Sequence, residues 1–406
     1  MKKSKEFSMT LTKDNVTCPI SLQVFLEPAI VHPCGHLFEM KEIKRWLEEK
    51  NNCPCCRKKI ETMDFAPAKT QRRLQKILDA NPAMYDDCYF TIDLFCEALT
   101  QKDHPTLQKM LNVLRNSEKC MNTVSEEKSY SGCTPAYCLA AYNIELLWDD
   151  PSLCKKISAT GLNAVIRGGE NQGFNTFFWL SGSEVGQKIL ARELAFLSMV
   201  DEAGLNAIVQ RGNHVGRSPA SNLLDFEKGR KLLLQAPELC EKINEKILNA
   251  IYYQGNARGL SAIFALANTP TGLKILADNP SLCKKINKSG LNAIGDSKNY
   301  EGYSPVYALL KNTAGRQLLL KNAHLRQLIS ERALFSVIKV KGADEGRSAG
   351  YWLKHTPEGK ELLLADPSLQ KKLKKEKSSI VCIINFFLCR PLCSEDRTDQ
   401  VVEQRR

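Results

Sequence analysis

Two short clusters have the spacing of metal ligands. Cys34 and His36 are one residue apart, and Cys53 and Cys56 are separated by two residues. A closed zinc site takes four sulfur or nitrogen donors in a tetrahedron, usually supplied as two close pairs. A lone Cys-x-x-Cys says little, whereas two pairs flanking one helix-length run say more. That run is Met40 to Lys50. It carries Ile43, Trp46 and Leu47 at i, i+3 and i+4, which predicts an amphipathic helix that brings the two pairs together. Two readings of the four residues stay open. In one they hold a single Zn2+. In the other Cys34 and Cys53 are small buried thiols and His36 bonds a backbone carbonyl. Cys55 is a further thiol able to replace a neighbour in the ligand set.

The elements around these pairs are short. Cys18-Pro19-Ile20 opens a first loop and Cys53-Pro54-Cys55-Cys56 forms a second. Ala29-Ile30-Val31, bracketed by Pro28 and Pro33, reads as a hairpin strand. Arg72 to Leu78 reads as a basic amphipathic helix that closes the segment.

In order and spacing, Cys18-Pro19-Ile20, Glu27-Pro28, Gly35-His36, Ile43-x-x-Trp46-Leu47 and Cys53-Pro54 make this segment resemble a U-box, the RING-like fold of one class of ubiquitin ligases. Cys34, His36, Cys53 and Cys56 correspond to the second zinc site of a RING. At the first site only Cys18 remains, with Ser21, Glu39 and Glu42 where cysteines are expected. That half-RING pattern is similar to the one-zinc, RING-like domains of SUMO ligases. Cys18 itself reads as a core residue. The resemblance implies no catalytic nucleophile. It implies an E3 ligase that binds a ubiquitin-charged conjugating enzyme (E2) and orients the donor ubiquitin for attack by a substrate lysine. It places Ile20, Trp46 and Pro54 in the E2 groove and Arg57 as the cation bridging E2 and ubiquitin. On the residues alone, Trp46 also reads as the helix's core anchor, Ile20 as core and Arg57 as a solvated charge.

The chain has 406 residues, too many for one compact core, so several domains or an extended repeat are expected. The formal net charge is +12, which favours acidic partners. The basic residues are mixed with acids and recur at no fixed place, which argues against nucleic acid. The N-terminal stretch lacks the apolar core of a secretory signal, and no run of about 20 apolar residues predicts a membrane span. Sixteen cysteines without a secretory signal point to a reducing compartment, where they are thiols or metal ligands.

Beyond the N-terminal segment the sequence repeats every 43 residues. Gly161-Leu162-Asn163-Ala164-Val165 recurs as Gly204-Leu205-Asn206-Ala207-Ile208, then from Ile247 and from Gly290. Gly173, Gly216, Gly259 and Gly302 keep the same step, as do Gly186, Gly229, Gly272 and Gly315. Thr134-Pro135, Ser218-Pro219 and Ser304-Pro305 are N-cap and N1 signals. Each repeat reads as two or three short helices, with atypical copies near 115–157 and 330–373, as in the capping units of a solenoid. The recurring asparagines predict a structural ladder between neighbouring repeats.

The expected layout is a tail (1–14), a small α+β U-box/RING-like domain (15–80), connecting helices (81–114), an all-α solenoid of 43-residue helical repeats (115–373) that binds a protein substrate, and a basic, cysteine-rich tail (374–406). Lysines 371, 372, 374, 375 and 377 precede an apolar run containing Cys382, Cys389 and Cys393. That combination fits S-acylation beside an anionic membrane, and equally a last capping helix. The combination of small ligase module and repeats resembles effectors that intracellular bacteria deliver into host cells. That implies secretion into the host cytoplasm, with membrane association through the tail. The rival expectation is a non-enzymatic repeat scaffold with a zinc-stabilised N-terminal domain.

Overall fold

A computed structural model of the chain describes residues 16–81, 84–85, 92–101, 103–126, 131–253 and 257–374. Cys382, Cys389 and Cys393 lie outside the described residues. The chain divides into two compact units, 1–248 and 249–406.

The first unit begins with a three-stranded antiparallel sheet in the order β2-β1-β3, formed by β1 (Pro28–His32), β2 (Leu37–Glu39) and β3 (Thr62–Phe65). β1 pairs with β2 through Pro28↔Glu39 and Ile30↔Leu37, and with β3 through Ala29↔Phe65 and His32↔Thr62. Helix α1 (Met40–Glu49) follows β2 directly and buries Met40 and Ile43. Val16, Cys18, Val24, Ala29, Val31, Phe38, Ile43 and Cys53 form the core of this module, each at most 1% exposed. Helix α2 (Ala68–Ala80) starts after Pro67 and turns Leu74 and Leu78 inward.

Two more helices continue the unit, α3 (Ile92–Gln101) and α4 (His104–Asn116). The Asp103 side chain caps α4 by accepting from the Thr106 amide. The buried Tyr85 fastens α2 to α4, because its hydroxyl donates to Asp79 and accepts from Gln75 and Asn112. Thr106 of α4 donates to the carboxylate of Glu27, the residue before β1, at 3.1 Å. The N-terminal module is therefore bonded directly to α4.

The remainder is mostly helical, and its helices are short. Among the described residues a full repeat contains four α-helices, not two or three. In one copy they are Glu202–Leu205, Pro219–Asp225, Glu227–Gln235 and Glu238–Lys242. Segments this short show too little periodicity to be separated in sequence. Thr134, Ser218 and Ser304 cap their helices with side-chain oxygens, and proline follows each cap. Gly173 has φ +93°, and a Cβ there would lie 2.2 Å from the Ile208 carbonyl of the next repeat. A side chain would thus be both strained and obstructed at this step of the pattern.

The asparagines bridge neighbouring copies within each unit. Asn163, Asn206, Asn249 and Asn292 donate to the carbonyls of Met199, Lys242, Lys285 and Leu328 at 2.7–2.9 Å. Their Oδ1 atoms accept from the amides of Asp201, Asn244, Asn287 and Ser330 at 2.7–3.1 Å. Asn122, which the sequence reading missed, makes the same pair of bonds to Lys156 and Ser158. Among the described residues, no helix is long and apolar enough to cross a membrane.

Candidate metal centre

The second loop is a tight knuckle. The Cys53 amide donates to the Lys58 carbonyl and the Arg57 amide donates to the Cys53 carbonyl, both at 2.8 Å. A bridge between Asn52 and Lys59 closes its base, and Arg57 takes φ 60° to complete the reversal. Backbone geometry therefore sets Cys53 and Cys56 on one side of the loop. Cys53 is buried, Cys56 half-buried and Cys55 exposed.

Cys34 and His36 come from the connection between β1 and β2. Gly35 at φ +74° and its amide bond to Val31 O turn the chain there, and the Val31 amide returns a bond to His36 O. The hairpin thereby delivers its pair to the knuckle. The donor atoms of Cys34, His36, Cys53 and Cys56 all lie within 4.8 Å of one another. Cys53 Sγ is 3.5 Å from His36 Nδ1. Zn–S and Zn–N bonds of about 2.3 and 2.0–2.1 Å, at a tetrahedral angle, put a sulfur and a nitrogen about 3.5 Å apart. Three thiols and one imidazole in this arrangement form a binding site for one Zn2+, with Nδ1 as the imidazole donor facing the thiol. Burial pushes the Cys53 thiol up to about 11, while the Lys58 backbone draws the Cys56 thiol below its usual range. A buried thiol of this kind ionises readily only beside a cation, and a zinc ion supplies that charge. Four protein ligands leave no position for substrate, so the site is structural.

The first loop has the same backbone and no metal set. Cys18 N donates to Gln23 O and Leu22 N donates to Cys18 O, at 2.7 and 2.8 Å, with a bridge between Thr17 and Val24. Leu22 takes φ 59°, the conformation Arg57 has in the second loop. Ser21 stands where the second loop has Cys56. In place of a metal, Cys18 Sγ accepts the Glu39 amide at 3.2 Å. The Glu39 carboxylate accepts the amides of Leu26 and Glu27 at 3.0–3.1 Å. Glu39 is the residue before α1, yet its side chain does not cap that helix, being committed to the amides of Leu26 and Glu27 just ahead of β1. Burial raises its carboxyl to about 8, outweighing the two amide bonds that pull it down.

Of the other residues singled out in sequence, Ile20, Trp46 and Pro54 are half-buried and Arg57 is exposed. Trp46 donates from Nε1 to Asn52 O at 2.8 Å, which ties α1 to the base of the second knuckle. The Lys50 ammonium lies 4.3 Å from the Trp46 ring centroid. Sequence reading passed over Leu22, which is 77% exposed at the apex of the first loop. A leucine beside a buried cysteine reads as core, and only the left-handed turn carries it outward.

Residues 5–57 match the family model described as a zinc-finger of the MIZ type in Nse subunit. The chain is also similar to E3 ubiquitin-protein ligase RNF181 of Rattus norvegicus, 32% identical over 83 residues, covering 18% of this chain and 50% of the relative. RNF181 of Danio rerio is 37% identical over 79 residues, 17% of this chain and 51% of its own. RING finger protein 151 of Bos taurus is 36% identical over 64 residues, 16% of this chain and 25% of its own. The chain spans about half the length of the RNF181 relatives it matches. No solved structure matches it. The N-terminal module is thus a RING-like zinc-binding domain, similar to domains of E3 ubiquitin ligases.

Proposed function

We propose that this protein is an E3 ubiquitin ligase that recruits a ubiquitin-charged E2 through its N-terminal module. The carrying observation is the pair of knuckles. A metal centre and a buried carboxylate network hold them, and their exposed faces present Ile20, Leu22, Pro54 and Arg57. The similarity to ligases over this region supports the same reading.

In this proposal the zinc stays structural and contributes rigidity. Ile20 and Leu22 on the first loop and Pro54 on the second form an apolar seat for the E2, with Trp46 fixing α1 beside it. Arg57 can offer its planar fork to carbonyls of both E2 and ubiquitin. The gain in rate comes from holding the thioester in reach of a lysine, not from a new nucleophile. The repeats, which we propose stack as a solenoid, hold the protein substrate. Membrane anchoring through Cys382, Cys389 and Cys393, and action as an effector in a host cytoplasm, belong to the same proposal.

A second reading is favoured by the half-RING pattern: the described residues bring together one four-ligand centre, and the first loop has Ser21 in place of a ligand. In it the transferred modifier is SUMO, through a SUMO-charged conjugating enzyme.

The test is discharge of modifier-charged conjugating enzymes, with a ubiquitin E2 panel and a SUMO E2 side by side, for wild type and Ile20→Ala. Discharge of a ubiquitin E2 that Ile20→Ala abolishes is the expected result. Discharge of the SUMO E2 alone selects the second reading. No discharge by any enzyme in the panel overturns both and leaves a repeat scaffold.

A further inference from the structure

α3 packs on the helix Pro135–Tyr142, the first long helix of the repeats. At their contact the Sγ atoms of Cys96 and Cys138 lie 3.1 Å apart. Cys138 is fully buried and Cys96 is 6% exposed. Other buried cysteines in the repeats dispose of their thiols differently. Cys154 and Cys283 occupy equivalent places in two repeats and donate to the carbonyls of Leu147 and Leu276, each at 3.2 Å. Cys120 donates to Tyr85 O. Cys96 and Cys138 face one another.

A disulfide has its sulfurs about 2.05 Å apart, so about 1 Å of approach separates this contact from a bond. Displacements of that size are ordinary thermal motion in a folded protein. The two residues belong to separate helices 42 positions apart in the chain, so a bond would join α3 to the repeats covalently.

We infer that Cys96 and Cys138 form a reversible disulfide site, with a peroxide as the oxidant. Cys96, the one with residual surface, attacks the peroxide. Its sulfur takes one oxygen to give a sulfenic acid, the O–O bond breaks, and the other oxygen leaves as water. Cys138 then attacks the Cys96 sulfur. The S–O bond breaks and the oxygen departs as a second water, carrying the proton Cys138 gives up. The two sulfurs together lose two electrons and the peroxide gains them. The contact with the Cys96 thiol, and burial after it, hold the Cys138 thiol well above its usual range, so the second step accelerates as pH rises. A dithiol reductant reverses the bond by thiol–disulfide exchange.

The experiment uses the zinc-loaded full chain, treated with hydrogen peroxide, digested without reduction and mapped by mass spectrometry. The expected product is a peptide pair joining Cys96 to Cys138, released by dithiothreitol and absent from Cys96→Ser. In Cys138→Ser the Cys96 sulfenic acid has no resolving thiol, and dimedone traps it. Cys133→Ser, which removes the neighbouring buried thiol, keeps the cross-link. Free Cys96 and Cys138 under conditions that oxidise the exposed Cys55 would overturn the inference. A wild-type bond from Cys138 to Cys133 would do the same.

Discussion

The loops Cys18–Gln23 and Cys53–Lys58 follow one backbone course. Each opens on a buried cysteine followed by proline, returns an amide to that cysteine's carbonyl, and closes on a non-glycine residue in the left-handed region. Their fastenings differ. The second is held through donors that converge on a cation site, the first by a buried carboxyl group that accepts two amides. A metal centre joins distant segments with strong bonds whatever the packing around it. A buried carboxyl network does so only while it stays buried and its partners stay in place. The comparison suggests that either device suffices for the loop, and that they should fail under different conditions.

Removing one zinc ligand tests the larger half. Cys56→Ala is expected to abolish zinc binding and unfold the module, on the order of 10 kcal/mol of apparent stability. Metal content, falling from one zinc per chain to none, and the loss of module structure by circular dichroism both check it. A chelator should act on wild type in the same way. If Cys18→Ala also released the zinc, the two loops would not be independently held.

Glu39→Ala is the matching cut in the first loop. It strands two buried amides, at about 2–4 kcal/mol in total, and should leave one zinc per chain. The pH dependence sharpens this. Folded Glu39 keeps its proton up to about pH 8, whereas the unfolded chain releases it near 4.5. Its contribution to stability is therefore complete below 4.5 and lost as pH rises through 8. Denaturant titrations of wild type and Glu39→Gln across pH 5–9 should show wild type losing stability relative to Glu39→Gln as pH rises. A difference that is constant across the range would mean Glu39 is ionised throughout.

Smaller effects belong to the loop tips. Leu22→Ala should lower E2 discharge roughly fivefold to tenfold with zinc content and melting unchanged, as for an apolar contact worth more than about 1 kcal/mol. Arg57→Ala should lower it about twofold to threefold, with a weaker salt dependence than wild type, as expected of a rim charge. Equal losses from both tips would argue against one apolar and one cationic contact.

The zinc ligands were legible because ligand chemistry fixes both residue type and spacing. Cys34, His36, Cys53 and Cys56 stood out before any fold was known, and so did the helix between the pairs. Glu39 was visible only as a missing cysteine. Its actual work depends on burial and on two backbone amides, which no spacing encodes. Leu22 was hidden for a related reason, since its exposure follows from a backbone angle rather than its residue type. In the repeats, glycine and asparagine landmarks exposed the period. The helix count and Asn122 escaped, because four-residue helices carry no periodic signal and the first copy departs from the motif.

The asparagine bridges have a consequence for how such a chain can change. Asn163, Asn206, Asn249 and Asn292 each reach a carbonyl 36 residues ahead and an amide 38 residues ahead. Tandem duplication or excision of a whole 43-residue segment preserves those intervals, so each remaining asparagine meets a partner of the same kind. A gene coding for this region can lengthen or shorten in whole steps while every junction is reused unchanged. Selection can then work on the outward-facing residues of each copy without redesigning the contacts between copies.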